Sequence, residues 1–157
     1  MQRRITAVSQ QPDLAPLVAG WLHAAFGHPD GRTAKQLTDL ILAPPIGPEE
    51  TFVAFEDDIP VGTASLAHQD LDSRRDLTPW LAGVVVQPPF RGRGHAAALV
   101  RQVEGFARAA GIGRLWLYTW SAAGLYARLG WQEAGREIEM KRNQEVILMR
   151  RDLTETA

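Results

Sequence analysis

One segment constrains the fold more than any other part of this sequence. The apolar run Trp80–Val86 is followed by Gln87-Pro88-Pro89-Phe90 and then by Arg91-Gly92-Arg93-Gly94-His95-Ala96. A continuous apolar run of this length is typical of a central strand that is buried on both faces. Apolar residues then recur at helical spacing, at Leu99, Val103, Phe106, Ala107 and Ala110. The segment therefore predicts a buried strand, a glycine-rich turn and an amphipathic helix.

The glycine-rich turn has the chemistry of an anion site. Glycine permits a positive φ and has no side chain, so consecutive backbone N–H groups can point into one concavity. The helix behind it adds unpaired N–H groups and the positive end of its dipole, and Arg91 and Arg93 add full charges. A glycine-rich connection with solvated arginines is the alternative. The buried strand before the turn and the helix after it favour a phosphate or pyrophosphate site.

Two other nucleotide-binding motifs compete for this turn. Gly92-x-Gly94-x-x-Ala97 fits the dinucleotide fingerprint, but that fold places its first glycine at the end of a strand and a carboxylate about 20 residues further on. Here residues 87–91 intervene, and the stretch 116–120 carries no acid. A P-loop requires Gly-Lys-Ser/Thr, which does not follow.

The composition is that of an ordinary globular chain. Its 157 residues, 45% of them hydrophobic, suit one domain with one core, which we expect to span residues 1–157. A net charge of -1 argues against nucleic acid as a partner. The absence of cysteine and the wide spacing of the four histidines predict no metal site. With neither a membrane span nor a signal peptide in the sequence, we expect a cytoplasmic monomer or homodimer.

Helices and strands are predicted to alternate along the rest of the chain. An apolar stripe over Leu14–Ala25 predicts a first helix opened by Pro12, and the capping-box spacing of Thr33 and Gln36 predicts a second. Ser121 is the predicted N-cap of a short helix. Further strands are predicted at Ile5–Val8, Thr51–Glu56, Val61–Ala67, Arg114–Thr119, Glu133–Met140 and Glu145–Arg151. The order predicts a single α/β (α+β) domain with a mixed, mostly antiparallel sheet.

At two places the chain resembles the GNAT superfamily of N-acetyltransferases. The family signature Arg/Gln-x-x-Gly-x-Gly/Ala is met by Arg91, Gly94 and Ala96. Downstream, Tyr126 and the Gly130-Trp131 pair match the family's Tyr-x-x-x-Gly-aromatic segment. The predicted order of elements also fits the family over almost the whole chain. The resemblance implies a sheet whose fourth and fifth strands splay apart, with acetyl-CoA bound between them.

The resemblance also assigns site residues. The backbone near Val84 and Val86 is expected to pair with the pantetheine arm, and a backbone N–H of this strand to polarise the thioester carbonyl. Tyr126 is expected to lie beside the coenzyme sulfur and to protonate the departing thiolate. His95 is expected to contribute its backbone N–H rather than its ring. The expected coenzyme-binding residues are Val84, Val85, Val86, Arg91, Gly92, Arg93, Gly94, His95, Ala96 and Ser121.

The base that deprotonates the acceptor is left open by the sequence. An amine with a pKa near 10.4 is only about one part in a thousand neutral at pH 7. Many GNAT enzymes carry a glutamate on the fourth strand, but Trp80–Val86 contains no ionisable residue. Asp70, Asp72 and His68 follow the preceding strand and are the candidates. Water is the alternative, as is an acceptor with a low pKa.

These features predict transfer of the acetyl group of acetyl-CoA to a primary amine. We expect a small-molecule acceptor, with a protein amine as the second option. A non-catalytic module that binds CoA as a sensor is the rival from another class, because the strand glutamate is missing. A nucleotide-binding oxidoreductase is a more distant alternative.

Overall fold

The computed structural model describes residues 1–153. The strands are β1 Arg3–Ala7, β2 Glu50–Glu56, β3 Ile59–Ala67, β4 Trp80–Val86, β5 Arg114–Thr119, β6 Gln132–Glu139 and β7 Gln144–Asp152. The helices are α1 Ala15–Phe26, α2 Ala34–Leu42, α3 His95–Ala109 and α4 Ala123–Arg128. Within residues 1–153, no helix is both long enough and apolar enough to cross a bilayer.

All seven strands form one sheet in the order β1-β2-β3-β4-β5-β7-β6. Five neighbouring pairs are antiparallel, and the central pair β4–β5 is parallel. That central pair is joined at one register position, Trp80 opposite Trp116. The predicted mixed, mostly antiparallel sheet with splayed central strands is confirmed.

Local signals in the sequence account for the turns and for one helix start. Asp57 and Asp58 take positive φ values of 48° and 69° in the turn between β2 and β3, a conformation that aspartate tolerates better than most residues. The predicted capping box opens α2. The Gln36 N–H donates to Thr33 Oγ1 at 3.1 Å, and the Thr33 N–H donates to Gln36 Oε1 at 2.8 Å.

The first helix differs from its prediction. A 3₁₀ turn over Pro12–Leu14 precedes it, and α1 begins at Ala15. Leu17 lies on the predicted apolar stripe but is exposed, whereas Ala15 and Ala19 are fully buried. Alanine removes little apolar area from water, so hydrophobic periodicity underestimates its role. Small side chains on this face therefore share the packing with Val18 and Leu22 of the predicted stripe.

The two faces of the sheet are covered differently. Leu115 and Leu117 of β5 point to the face covered by α3 and α4, which we call the α3 face. Side chains alternate along a strand, so Trp116 and Tyr118 point to the opposite face, which we call the α1 face. On the α1 face, α1 packs over β2, and the segment 68–79 packs over β5 and β7.

A buried carboxylate ties α3 to the turn that follows α4. Glu104 of α3 is 1% exposed and accepts a hydrogen bond from Trp131 Nε1 at 3.0 Å. The Trp131 N–H donates to the Tyr126 carbonyl at 3.0 Å, and the two rings pack edge to face. Arg151 reinforces the turn by donating to the Gly130 carbonyl at 2.9 Å. The position of α4, a helix of only six residues, therefore depends on contacts made from α3 and β7.

We predict that Glu104→Ala lowers the free energy of unfolding by about 2–4 kcal/mol, because it leaves the buried Trp131 N–H without an acceptor and removes the partner of Arg101. Urea denaturation measures the change. Glu104→Gln is the matched control, since its amide oxygen still accepts from Trp131, and we expect it to lose less than half as much. Equal losses in the two variants would show that charge, not the Trp131 bond, holds the turn.

Candidate active site

The two central strands separate beyond their first residues. Trp80 lies opposite Trp116, and the Trp116 N–H donates to the Pro79 carbonyl at 3.2 Å. From Ala82 to Val86, β4 has no partner on β5. Backbone polar groups inside a protein need hydrogen-bond partners. The free edge of β4 is therefore prepared for a ligand with amide groups of its own.

The ladder with β3 shows which backbone groups face this gap. The Gln87 N–H donates to the Val61 carbonyl at 2.8 Å. Val85, two residues earlier and opposite Thr63, directs its backbone groups to the same side, toward β3. Groups of alternate residues in an antiparallel strand point to opposite edges. Val84 and Val86 therefore direct their backbone groups away from β3, toward the gap, and of these the Val86 carbonyl accepts a hydrogen bond from Arg91 Nε. The backbone of Val85 is turned toward β3, opposite Thr63, and its predicted coenzyme contact stays a prediction.

A bulge adjusts the direction of β4 at this level. Gly83 and Val84 together lie opposite the single residue Ala64, between the pairs Thr63–Val85 and Ser65–Ala82. Gly83 has a φ of 64° and lies against Leu22 of α1. A bulge bends its strand and increases the local twist. It turns β4 away from β5 at the point where the gap opens.

The glycine-rich loop presents unpaired N–H groups at the open end of the gap. Gly92 and Gly94 have φ values of 78° and 85°. The first helical bond of α3 runs from the Ala98 N–H to the Gly94 carbonyl at 3.1 Å. Within residues 1–153, the N–H groups of residues 92–97 donate no hydrogen bond. No atom lies within 4 Å of where a Cβ on Gly92 would be. These groups fit a phosphate or pyrophosphate.

Both arginines of the loop stabilise it through contacts with the rest of the protein. Arg91 Nε donates to the Val86 carbonyl at 2.9 Å, which closes the loop against the end of β4. Arg93 Nη1 forms an ion pair with the buried carboxylate of Glu56. The carbonyl of Arg93 accepts from Arg3 Nη2 at 2.7 Å. The side-chain charge expected to face the anion is thus partly engaged inside the protein.

The ring of His95 belongs to the same network of hydrogen bonds and ion pairs. It is 1% exposed, accepts from Arg3 Nε at Nδ1 (3.0 Å) and donates from Nε2 to Glu56 at 2.8 Å. The hydrogen bond from His95, aided by the charge of Arg93, lowers the pKa of Glu56. Sequence reasoning missed Arg3 and Glu56, which lie on β1 and β2. No local pattern links them to the loop, because they are far from it in the sequence.

Tyr126 lies on the α3 face, in the core cluster that contains Leu117. Its side chain is 8% exposed, and its ring packs against Trp131 with centroids 6.3 Å apart. Burial raises the pKa of its hydroxyl to about 12. Within the described part of the chain, the hydroxyl makes no hydrogen bond, and its oxygen is not fully buried, so it is accessible to a ligand.

Ser121 does not cap α4, contrary to the prediction. The helix begins at Ala123, and its N-cap residue Ala122 has no side-chain capping bond. Thr119 at the end of β5 instead holds the turn before the helix through its Oγ1. It accepts from the N–H groups of Ala122 at 2.9 Å and Ser121 at 3.3 Å. The Ser121 side chain is exposed, and its predicted coenzyme contact stays a prediction.

On the α1 face, aromatic rings of β4, β5 and α1 and of the turn after β5 pack in a row. Tyr118 lies 6.3 Å from both Trp80 and Trp120, measured between ring centroids. Phe26, the last residue of α1, meets Trp120 edge to face at 6.1 Å. These four residues form what we call the aromatic wall. Among residues 1–153, no three histidine or acidic side chains converge as metal ligands would.

The three candidate bases lie in the segment that packs over this face. His68 Nδ1 is 3.2 Å from the hydroxyl of Thr78, which also donates to the His68 carbonyl. Asp72 is ion-paired with Arg75 at 3.4 Å. Asp70 has neither a hydrogen bond nor a salt bridge to any residue in the range 1–153. Loss of hydration raises the pKa of Asp70 from 3.8 to about 7.

Known structures share this fold at low sequence identity. An aminoglycoside 6'-N-acetyltransferase complexed with coenzyme A is 14% identical, with a TM-score of 0.78 over 98% of this chain and 99% of that one. The acetyltransferase yncA of Salmonella typhimurium, solved with acetyl-CoA, is 17% identical, with a TM-score of 0.76 over 99% and 96%. A spermidine N-acetyltransferase chimera from Vibrio cholerae and hSSAT is 18% identical, with a TM-score of 0.73 over 98% and 96%.

The sequence itself identifies the family. No curated protein sequence matches this chain significantly. Residues 17–131, well over half of the chain, match the profile of the acetyltransferase (GNAT) family. The matched range contains the β4 edge, the glycine-rich loop and Tyr126, whose geometry fits a coenzyme with a pyrophosphate and amide groups. The chain belongs to the GNAT acetyltransferase family.

Proposed function

We propose that this protein is an N-acetyltransferase that moves the acetyl group of acetyl-CoA directly to a primary amine, within a single domain spanning residues 1–157. The observation that carries the proposal is the free edge of β4, which is followed by a loop of unpaired N–H groups. A ligand with amide groups and a pyrophosphate matches these two features, and the Tyr126 hydroxyl, which has no partner within residues 1–153, is available to it as a donor. The acetyltransferase family to which the chain belongs supports the same chemistry.

Acetyl-CoA supplies a thioester carbonyl carbon for attack and a thiolate as leaving group. The N–H groups of Gly92, Gly94 and Ala96 would hold its pyrophosphate, aided by the dipole of α3. The backbone groups of Val84 and the N–H of Val86 would pair with the pantetheine arm, since the Val86 carbonyl is already bonded to Arg91. A backbone N–H on this edge of β4 would polarise the thioester carbonyl as negative charge develops on its oxygen.

Tyr126 would act at the sulfur. With a pKa of about 12, its hydroxyl stays protonated throughout the physiological range and is always a donor. A thiolate with a pKa near 8.5 is a weaker base than the conjugate phenolate. The hydroxyl therefore stabilises the departing thiolate chiefly by donating a hydrogen bond, with proton transfer completing the step.

The acceptor is proposed to be a small molecule. Two of the similar structures are an aminoglycoside and a spermidine N-acetyltransferase, and these names support a small-molecule amine. A protein amine is the second candidate. The cytoplasmic location and the monomeric or homodimeric state stay predictions from the sequence.

Thermal unfolding with CoA, acetyl-CoA or NAD at equal concentrations tests the coenzyme site. A ligand at about 100 times its Kd adds about 2.7 kcal/mol of stability, which is about 5–10 °C for a domain of this size. We expect a shift with the two CoA species alone. Absence of any shift at millimolar CoA would refute the assignment of the loop.

An amine panel then tests the reaction by release of free thiol, which has no protein background because the chain contains no cysteine. We expect acetyl transfer to at least one class of small primary amines. CoA binding without transfer to any amine would favour the sensor alternative. A shift with NAD alone would instead favour the oxidoreductase.

We predict that Gly92→Ala weakens CoA binding at least tenfold, because a methyl group would enter the space in front of the loop. Gly111→Ala is the matched control. It has a similar φ of 81° and equally open surroundings at the other end of α3, so both variants carry a strain of about 1–2 kcal/mol. Isothermal titration measures the affinities, and equal affinity in both variants would contradict the assignment.

We predict that Tyr126→Phe lowers kcat by about 10²–10⁴ while the affinity for acetyl-CoA is retained. The hydroxyl makes no internal hydrogen bond within residues 1–153, so its removal should leave stability within about 0.5 kcal/mol of the parent protein. Single-turnover rates measure the chemical step. An unchanged single-turnover rate would exclude Tyr126 as the donor to sulfur.

A further inference from the structure

Two buried ionisable side chains have no role in the proposed acetyl transfer. Glu56, the last residue of β2, is 6% exposed, and His95, the first residue of α3, is 1% exposed. A buried carboxylate is costly unless it is paired and hydrogen-bonded. His95 contacts Arg3 of β1, and Glu56 contacts Arg93 of the glycine-rich loop. These contacts therefore connect the loop to strands that lie outside the gap.

The register between β1 and β2 directs Arg3 and Glu56 to the same side of the sheet. Arg3 lies directly opposite Glu56, and residues in this position share a face. Alternation along β2 puts Glu56 on the same face as Phe52, which is the α3 face. Arg4, the next residue of β1, points to the α1 face, where its Cζ lies 4.0 Å from the centroid of the Phe55 ring. The sheet thus separates these two arginines.

The ring of His95 joins the two strands. Arg3 Nε is 3.0 Å from His95 Nδ1, and because a guanidinium only donates, Nδ1 is the nitrogen without a hydrogen. Nε2 then carries the hydrogen and donates it to Glu56 Oε1 at 2.8 Å. The ring is therefore hydrogen-bonded at both nitrogens. These two bonds fix the orientation of the first residue of α3.

Arg93 closes these contacts into a ring of four residues. Its Nη1 forms an ion pair with the second carboxylate oxygen of Glu56, and its carbonyl accepts from Arg3 Nη2 at 2.7 Å. Its guanidinium also lies over the Phe90 ring, 5.5 Å from the centroid. We call Arg3, Glu56, Arg93 and His95 the loop network. Every member contacts two others, so moving one member breaks two contacts.

The loop network holds the backbone that would bind the phosphate. Gly94 lies between Arg93 and His95 and has a φ of 85°. Arg3 Nη2 is 3.3 Å from the position that a Cβ on Gly94 would take, so the guanidinium packs against this residue. In the described part of the chain, the N–H groups of residues 92–97 donate no hydrogen bond. Because the residues on both sides of Gly94 belong to the network, the network fixes the direction of the N–H groups at the centre of the loop.

We propose that Arg3 and Glu56 are positioning residues for the pyrophosphate of the coenzyme and act through Arg93 and His95. The assignment rests on the proposed binding of CoA. It goes beyond the GNAT signature in residues 91–96, because it places determinants of coenzyme affinity on β1 and β2. A loop that is held in place before the ligand arrives loses less conformational entropy on binding. Release of the network should therefore weaken CoA binding and leave the chemistry at the thioester unchanged.

Electrostatics without positioning predicts the opposite effect for one variant. Glu56 carries the single negative charge of the network, and Arg3 and Arg93 carry two positive charges. If only charge mattered, Glu56→Gln would make the surroundings of the pyrophosphate more positive and tighten CoA binding. If position matters, Glu56→Gln weakens binding, because the oxygen of an amide accepts a hydrogen bond but its NH2 group does not. Either His95 or Arg93 then faces a donor.

Isothermal titration with CoA measures the sign of the effect. We expect Glu56→Gln and Arg3→Gln each to raise the Kd for CoA about tenfold or more, as the loss of a charge-assisted hydrogen bond would. At saturating acetyl-CoA, we expect single-turnover rates within about twofold of the parent protein, because the β4 edge and Tyr126 are unchanged. Unchanged or tighter CoA binding by Glu56→Gln would refute the assignment. A fall in the saturated rate as large as the rise in Kd would show a general distortion of the site and refute it as well.

Arg4→Gln is the matched control for Arg3→Gln. It removes the same charge from the adjacent residue of β1, but Arg4 lies on the other face and pairs with the exposed Asp58 at 3.8 Å. Exposed ion pairs contribute little, so we expect the Kd for CoA to stay within about twofold of the parent value. An equal loss of affinity in the Arg3 and Arg4 variants would show that net charge, rather than the network, sets the affinity, which contradicts the proposal.

A double-mutant cycle tests whether Arg3 and Glu56 act through the same network. Once Glu56→Gln has broken the network, the further loss of Arg3 should have little effect. We therefore expect the double variant to bind CoA no more than about threefold more weakly than Glu56→Gln alone. Additive losses, on the order of a hundredfold in total, would show that the two residues act independently, and the assignment would be wrong.

Thermal unfolding without ligand separates positioning from loss of the fold. Arg3 is exposed on an edge strand of the sheet, so Arg3→Gln provides the measurement if Glu56→Gln does not fold. We expect Arg3→Gln and Arg4→Gln to be fully folded at the temperature of the titration, with affinity lost in the former alone. CoA affinities that followed Tm across the variants would show general destabilisation and overturn the proposal. If the parent protein itself binds no CoA, the proposed function fails and this assignment fails with it.

Discussion

The hydrogen bonding of β4 along only one edge is the constraint around which the rest of the molecule is organised. A strand at the centre of a sheet normally satisfies its backbone on both sides, and unpaired buried groups are costly. Here β4 meets β5 only at Trp80 and Trp116, and the bulge at Gly83 turns it away. Its free groups next to the gap can be satisfied by a ligand that carries amides. The incomplete hydrogen bonding between β4 and β5 is thus what makes the gap suitable for the proposed coenzyme.

In the loop at the open end of the gap, the side chains and the backbone have different functions. Arg93, Glu56, His95 and Arg3 form a continuous set of hydrogen bonds and ion pairs that joins the start of α3 to β1 and β2. Arg91 ties the loop to the last residue of β4 in the same way. These charges hold the loop in position, so the anion is left chiefly to backbone N–H groups. A site of this kind is rigid before the ligand arrives, which reduces the entropy lost on binding.

The parts of the structure that were predictable from sequence are those encoded within a few residues. Helical periodicity, the Thr33 capping box and the buried run of β4 depend on local spacing, and the structure has them where they were expected. Predictions failed where contacts between residues distant in the sequence determine the local structure. Thr119 rather than Ser121 holds the turn before α4, and Leu17 of α1 is exposed whereas Ala15 and Ala19 are buried. For the same reason, no sequence pattern could pair Glu56 with His95, or leave Asp70 without the partners that Asp72 and Glu139 find.

Burial determines what the tyrosine proposed to act at the sulfur can do. Loss of hydration opposes a negative charge on the phenol, so it raises the pKa of Tyr126 to about 12. The hydroxyl therefore stays protonated near neutral pH, which keeps a hydrogen-bond donor available for a departing thiolate. The ring of Tyr126 packs against Trp131, and Trp131 is held by Glu104 of α3. The contacts that position α4 therefore also fix the position of this donor.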